Sequence, residues 1–136
     1  SGRALDALAG SLAEREPESA LGRLAAAEAR AVCGPDLVDA ARGGDAGALA
    51  ALDLFGERLG VGVANLINTF DPEVVAIGGG ASSAGRLLLG PVTRSALRFV
   101  LPGVGTRCEI RIARSGPLAG VHGAALLAKI ESRRTA

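Results

Sequence analysis

Apolar side chains recur along the middle of this chain at helical spacing. Leu49, Leu52, Phe55, Leu59, Val63, Leu66 and Phe70 follow one another at steps of three or four, which lines one face of a helix over residues 46–70. Asp45 precedes it and predicts an N-cap, because its carboxylate can accept free amides of the first turn. Gly56, Gly60, Gly62 and Ala64 are small residues within the same stretch. Each glycine costs an isolated helix about 1 kcal/mol relative to alanine. They make sense where a sheet or a ligand approaches closely.

Shorter helices precede it. Apolar residues and punctuation predict helices over 3–15 before Pro17, over 19–32 before Gly34-Pro35, and over 35–42 before Gly43-Gly44. Asp71-Pro72 ends the long helix, and Val74 to Ile77 reads as a short, continuously apolar strand covered on both faces. Ser82 or Ser83 is expected to cap a helix over 84–100, with a kink or restart where Pro91 removes an amide. Cys108, Ile110 and Ile112 alternate with Glu109 and Arg111, as in a strand with one more polar face. Gly116-Pro117 leads into a last helix over 118–131. The order implies an α/β fold, rich in helix, with a short parallel sheet. Two strands alone do not make a stable parallel sheet, so the expectation is a piece of a longer polypeptide whose remaining strands lie upstream. Residues 1–45 would be a helical segment, and 46–136 the long helix followed by two strand–helix units.

Composition narrows the function. The 136 residues suffice for one unit with a core, but the aromatics are only Phe55, Phe70 and Phe99, and Trp, Tyr and Met are absent. The core is therefore built from Leu, Val, Ile and Ala, and an aromatic stacking surface for bases is not expected. Fifteen basic residues stand against fourteen acidic ones, a net charge of +1 that leaves no electrostatic footprint for nucleic acid or an anionic membrane. No apolar run reaches the roughly 20 residues of a membrane span and no signal peptide opens the chain, so a cytoplasmic setting is expected. Cys33 and Cys108 lack neighbours at metal-ligand spacing and read as reduced, partly buried thiols.

The candidate chemistry lies at Gly78-Gly79-Gly80, directly after the first strand. Glycines there let backbone amides approach a phosphate or ribose without side-chain collision, with the next helix offering its positive end. The same run also serves as a plain tight turn. It is neither a phosphate loop ending in Gly-Lys-Ser/Thr nor a GxGxxG fingerprint. Asn65 and Asn68 read as local capping groups, although either could point towards a nucleotide. His122 reads as a solvated or interface residue. Glu14, Glu16 and Glu28 lie on surface-like helices and are poor acid or base candidates.

Several stretches taken together carry a family resemblance. Ala41-Arg42-Gly43-Gly44-Asp45, Leu59-Gly60-Val61, Ala64-Asn65-Leu66-Ile67-Asn68, Asp71-Pro72-Glu73-Val74-Val75, Gly78 to Gly80 and Gly123-Ala124-Ala125-Leu126-Leu127 resemble the carboxyl-terminal half of ROK proteins, a family of repressors, open reading frames and kinases. The resemblance implies the actin-like, ribonuclease-H-like sugar kinase architecture, in which two lobes close on ATP and sugar. Gly78, Gly79 and Gly80 would belong to its adenosine motif. Its phosphate loop, catalytic aspartate, sugar-contacting residues and zinc ligands would all lie upstream, leaving no catalytic or metal-binding residue in this chain and no kinase activity for the chain alone. ATP with magnesium, a small sugar with glucose foremost, a structural zinc elsewhere in the protein and a homo-oligomer are implied with it. A sugar-responsive repressor with an upstream DNA-binding domain is the alternative. Ser115-Gly116-Pro117-Leu118 departs from the family pattern, which often carries acidic residues there.

Overall fold

The computed structural model describes residues 2–134, so Ser1, Thr135 and Ala136 of the expected unit lie outside the described residues. Four helices come first: α1 (Gly2–Arg15), α2 (Ala20–Glu28), α3 (Gly34–Arg42) and α4 (Ala46–Phe70). Then β1 (Val74–Ile77), a 3-10 turn (Gly80–Ala84), α5 (Arg86–Phe99), β2 (Glu109–Ile112), a second 3-10 turn (Gly116–Leu118) and α6 (Ala119–Arg134) complete the order.

Carboxylates near the helix starts tie the helical part together. Asp45 caps α4 by accepting from the Ala48 amide at 2.9 Å, and its second oxygen accepts from Ala20 at the start of α2 at 3.1 Å. Asp6 of α1 accepts from the Gly34 amide at 2.8 Å, and Asp36 from the Cys33 amide at 2.8 Å, so both serve the start of α3. The second helix stops at Glu28 rather than at 32, because Ala29 turns into the left-handed region at φ 48°.

The central contact is between α4 and α5. Leu52, Phe55, Val63, Ala64 and Ile67 of α4 are buried with Leu88, Pro91, Val92 and Ala96 of α5. Leu49, Leu66 and Phe70, expected on the inner face, are exposed, Phe70 to 70%. The buried stripe runs through small residues instead: a Cβ on Gly60 would lie 2.6 Å from the Val92 carbonyl oxygen and 2.6 Å from the Ser95 Cβ, and one on Gly56 would lie 2.6 Å from the Pro91 Cβ. The expected close approach is therefore real, but the partner is a helix and neither a sheet nor a ligand. At Gly62 a Cβ would meet nothing within 4 Å. Pro91 sits inside α5, which continues as one helix through Phe99 without a restart.

β1 and β2 are parallel and paired Val74 with Glu109, Val75 with Ile110, Ala76 with Arg111 and Ile77 with Ile112. Val75, Ile77, Ile110 and Ile112 face the core, whereas Val74 and Ala76 are exposed, so β1 is covered on one face only. The two-sided cover expected of a continuously apolar strand is therefore not met among the described residues: Val75 and Ile77 join the core, and the other face of β1 is open. α6 follows the second 3-10 turn with Val121, Leu126, Leu127 and Ile130 exposed. No described helix is long and apolar enough to cross a membrane.

Candidate functional site

The carboxyl ends of both strands open on one edge, where the two 3-10 turns pack against each other. Gly78, Gly79 and Gly80 lie there, all exposed. Gly79 takes φ 78° and ψ −172°, a region essentially closed to residues with a Cβ. The other two are not demanded by the fold: a Cβ on Gly78 would make an ordinary 3.6 Å contact with Ala113, and one on Gly80 would meet nothing within 4 Å. Their lack of side chains leaves the backbone open to something outside the chain.

The loop is braced from within. Ser82 Oγ donates to the Gly79 carbonyl at 2.6 Å and Ser83 Oγ to the Gly80 carbonyl at 2.8 Å. These bonds correct the expected capping role, because both hydroxyls turn back into the loop and Gly85 occupies the N-cap position of α5. Arg42, at the end of α3, donates from Nη2 to the Ser83 carbonyl at 2.6 Å and from Nη1 to Asp39 at 3.0 Å. Between α3 and the loop lies a groove of about 300 Å³, lined by Pro35, Val38, Asp39, Arg42, Gly80 and Ser83. A larger, open groove of about 570 Å³ along α5 is lined by Arg86, Leu89, Gly90, Thr93, Arg94 and Leu97, none of them in the glycine loop.

Other candidates fall elsewhere. Asn68 Nδ2 donates to the Phe99 carbonyl at 2.9 Å and its Oδ1 accepts from the Leu101 amide at 2.8 Å, which clasps the end of α5. Asn65 is exposed on α4, and its carbonyl accepts from Thr69 Oγ1 at 2.7 Å. His122 is exposed on α6. Glu14 and Glu16 are exposed, and Glu28 pairs with Arg30. Arg30 also grips Asp36 with both ends of its fork, at 2.7 and 2.9 Å, which holds that carboxyl well below its usual range. Both thiols are free and half-buried: a hydrogen bond to Asp36 and then burial push Cys33 up, while burial and then the Asp71 charge push Cys108 up. Neither is primed as a nucleophile. Among the described residues no three His, Cys, Asp or Glu side chains gather so as to hold a metal ion.

The model of the ROK family matches residues 1–131. The chain belongs to the ROK family. A glucokinase of Halalkalibacterium halodurans is 43% identical over 94 residues, covering 69% of this chain and 28% of that protein. The Streptomyces coelicolor glucokinase is 34% identical over 132 residues, covering 95% of this chain and 42% of that one. In three dimensions this ROK chain matches the crystal structure of a ROK family glucokinase from Streptomyces griseus in complex with glucose and AMPPNP, with a TM-score of 0.80 at 34% identity over 93% of this chain and 42% of that one. The fold is thus part of the actin-like, ribonuclease-H-like sugar kinase architecture, and the ROK chain spans less than half the length of these relatives.

Arg42 is the residue that sequence reasoning passed over. Its arginine stood inside the stretch quoted for the resemblance, but a bond between residues 42 and 83 leaves no trace in periodicity.

Proposed function

We propose that this chain is the nucleotide-holding, carboxyl-terminal part of an ATP-dependent sugar kinase that transfers a phosphoryl group to a sugar hydroxyl, with glucose as the leading substrate. The observation that carries the reading is the likeness, over 93% of this chain, to a glucokinase solved with glucose and AMPPNP. The glycine loop supports it. Gly78 and Gly80 have room for a side chain and carry none, which suits an adenosine group lying against bare backbone beside the groove at Arg42.

The chain's share of the reaction is positioning. Phosphoryl transfer needs a base at the sugar hydroxyl and charge stabilisation at the phosphoryl oxygens. The carboxylate lining the groove is Asp39, already paired with Arg42, and the sole histidine lies on α6. Among the described residues no three His, Cys, Asp or Glu side chains gather as a structural zinc of the kind implied by the resemblance would require. The 136-residue chain alone is expected to give no turnover.

The test is sugar-dependent ADP release by the full-length protein with ATP and magnesium, comparing glucose with N-acetylated hexosamines, since N-acetyl-D-glucosamine kinases are also among the relatives, as in Aliivibrio fischeri at 39% identity over 68% of this chain. Gly79→Ala, which forces a side chain into a glycine-only conformation, is expected to raise the KM for ATP. No turnover with any sugar would refute the kinase reading. It would favour a sugar-responsive repressor, a reading that the 31% identity to a xylose repressor of Bacillus spizizenii over 75 residues keeps in view. Sugar-sensitive DNA binding would establish that alternative.

A further inference from the structure

Arg42 occupies the last turn of α3, where a cation faces the partial negative charge of the helix end. Its guanidinium is spread between two acceptors on different elements. Nη1 is held by Asp39 Oδ1 at 3.0 Å, three residues back on the same helix, and Nη2 reaches the Ser83 carbonyl at 2.6 Å, 41 residues further along the chain. The serine hydroxyls at 82 and 83 bond only carbonyls of the loop itself, at Gly79 and Gly80. Among the described hydrogen bonds, that from Arg42 is the one by which a side chain of another element holds the 3-10 turn.

We propose that Arg42 is a positioning residue for the nucleotide: anchored by Asp39, it fixes the Ser83 carbonyl and so sets where the backbone of Gly78–Gly80 stands beside the groove. The proposal rests on the nucleotide reading of that loop. An arginine suits the task because its planar fork offers two donors at a fixed angle, so the Asp39 bond orients the Ser83 bond; a lysine presents one mobile point charge. Three consecutive glycines are intrinsically loose, and a loop that is not held must be ordered by its ligand, which weakens binding. The pair is exposed, with Arg42 and Asp39 side chains 55% and 73% accessible, so the effect belongs on ligand affinity more than on global stability.

The test uses the full-length protein and three variants. Arg42→Met keeps the stem and removes the fork, Arg42→Lys keeps the charge, and Asp39→Asn loosens the anchor. The expected result is a rise of about fivefold in the KM for ATP in Arg42→Met, as for loss of one charge-assisted hydrogen bond at an exposed site. Arg42→Lys and Asp39→Asn should give smaller rises. The KM for sugar and the thermal midpoint should stay near those of the wild type. A KM for ATP unchanged in Arg42→Met and Asp39→Asn overturns the proposal. A parallel rise in both KM values with a lowered thermal midpoint also overturns it, since that is the mark of a merely structural residue. A wild-type protein that does not bind ATP overturns the nucleotide reading itself, and this proposal with it. Should Arg42→Met fail to fold, the KM for ATP in Asp39→Asn decides.

Discussion

Alanine at position 60 should destabilise the chain, although helix propensity alone predicts the reverse. On an ideal backbone the new Cβ would stand 2.6 Å from the Ser95 Cβ, 2.6 Å from the Val92 carbonyl oxygen and 3.0 Å from the Ala96 amide nitrogen. Carbon contacts are comfortable only near 3.5–4 Å. Two of the three obstacles are backbone of α5, so no rotamer change relieves them and the helices must move apart by about 1 Å. That shift loosens a seam containing Leu52, Val63, Leu88 and Val92, all buried. It also strains the bond from Ser95 Oγ to the Glu57 carbonyl, now 2.7 Å. Overpacking costs about 1–3 kcal/mol and the weakened hydrogen bond about 1 kcal/mol. The gain in helix propensity returns about 1 kcal/mol. The net expectation for Gly60→Ala is a loss of about 1–3 kcal/mol. Gly62→Ala, two residues along the same helix, adds a Cβ with nothing within 4 Å and should gain up to about 1 kcal/mol. The measurement is urea denaturation of the full-length protein and both variants, followed by helical circular dichroism, with the midpoint shift read at constant slope. Opposite signs for the two variants are expected. If Gly60→Ala matches or exceeds the wild type in stability, the helices do not meet at this glycine and the reasoning fails.

Further outcomes follow from the caps, the clasp and the thiols. Asp45→Ala removes the acceptor shared by α4 and α2 and should cost about 1–2 kcal/mol in the same assay. Because the Ala48 amide first, and then the Ala20 amide, hold the Asp45 carboxyl below its usual value, its contribution is complete above the unfolded value of about 4 and is lost as pH falls through the folded one. The stability gap between wild type and Asp45→Ala should therefore be constant from neutrality down to about pH 5 and close in acid. Asn68→Ala breaks both bonds at the end of α5 and should speed hydrogen exchange of the Leu101 amide while costing about 1–2 kcal/mol. With their titration pushed up, Cys33 and Cys108 should react with iodoacetamide more slowly than a free cysteine at mildly alkaline pH, and the deficit should shrink as pH rises. Reaction at the rate of the free thiol would show that neither Asp36 nor burial protects them.

Local chemistry made much of the architecture readable. The helix over 46–70 with Leu52, Phe55 and Val63 on its buried face, the Asp45 cap, the Asp71-Pro72 break and the strand at Val74 to Ile77 each depend on a few neighbouring residues, and each appears at its expected place. The triple glycine marked the carboxyl edge of the sheet because a φ of 78° at Gly79 is a local demand that sequence can express. Tertiary structure decided the rest. Whether Gly60 faces a helix, a sheet or open space depends on where α5 lies, and its near-twin Gly62 differs only in that respect. Ser82 and Ser83 were equally suited to capping a helix or bracing a turn, and the backbone path through Gly85 chose the second. Asn68 and Arg42 work through bonds spanning more than thirty residues, to Phe99 and Ser83. Such pairings carry no local signature: a periodic pattern reports which face of an element is apolar, whereas the chain's packing alone brings a guanidinium within reach of one particular carbonyl.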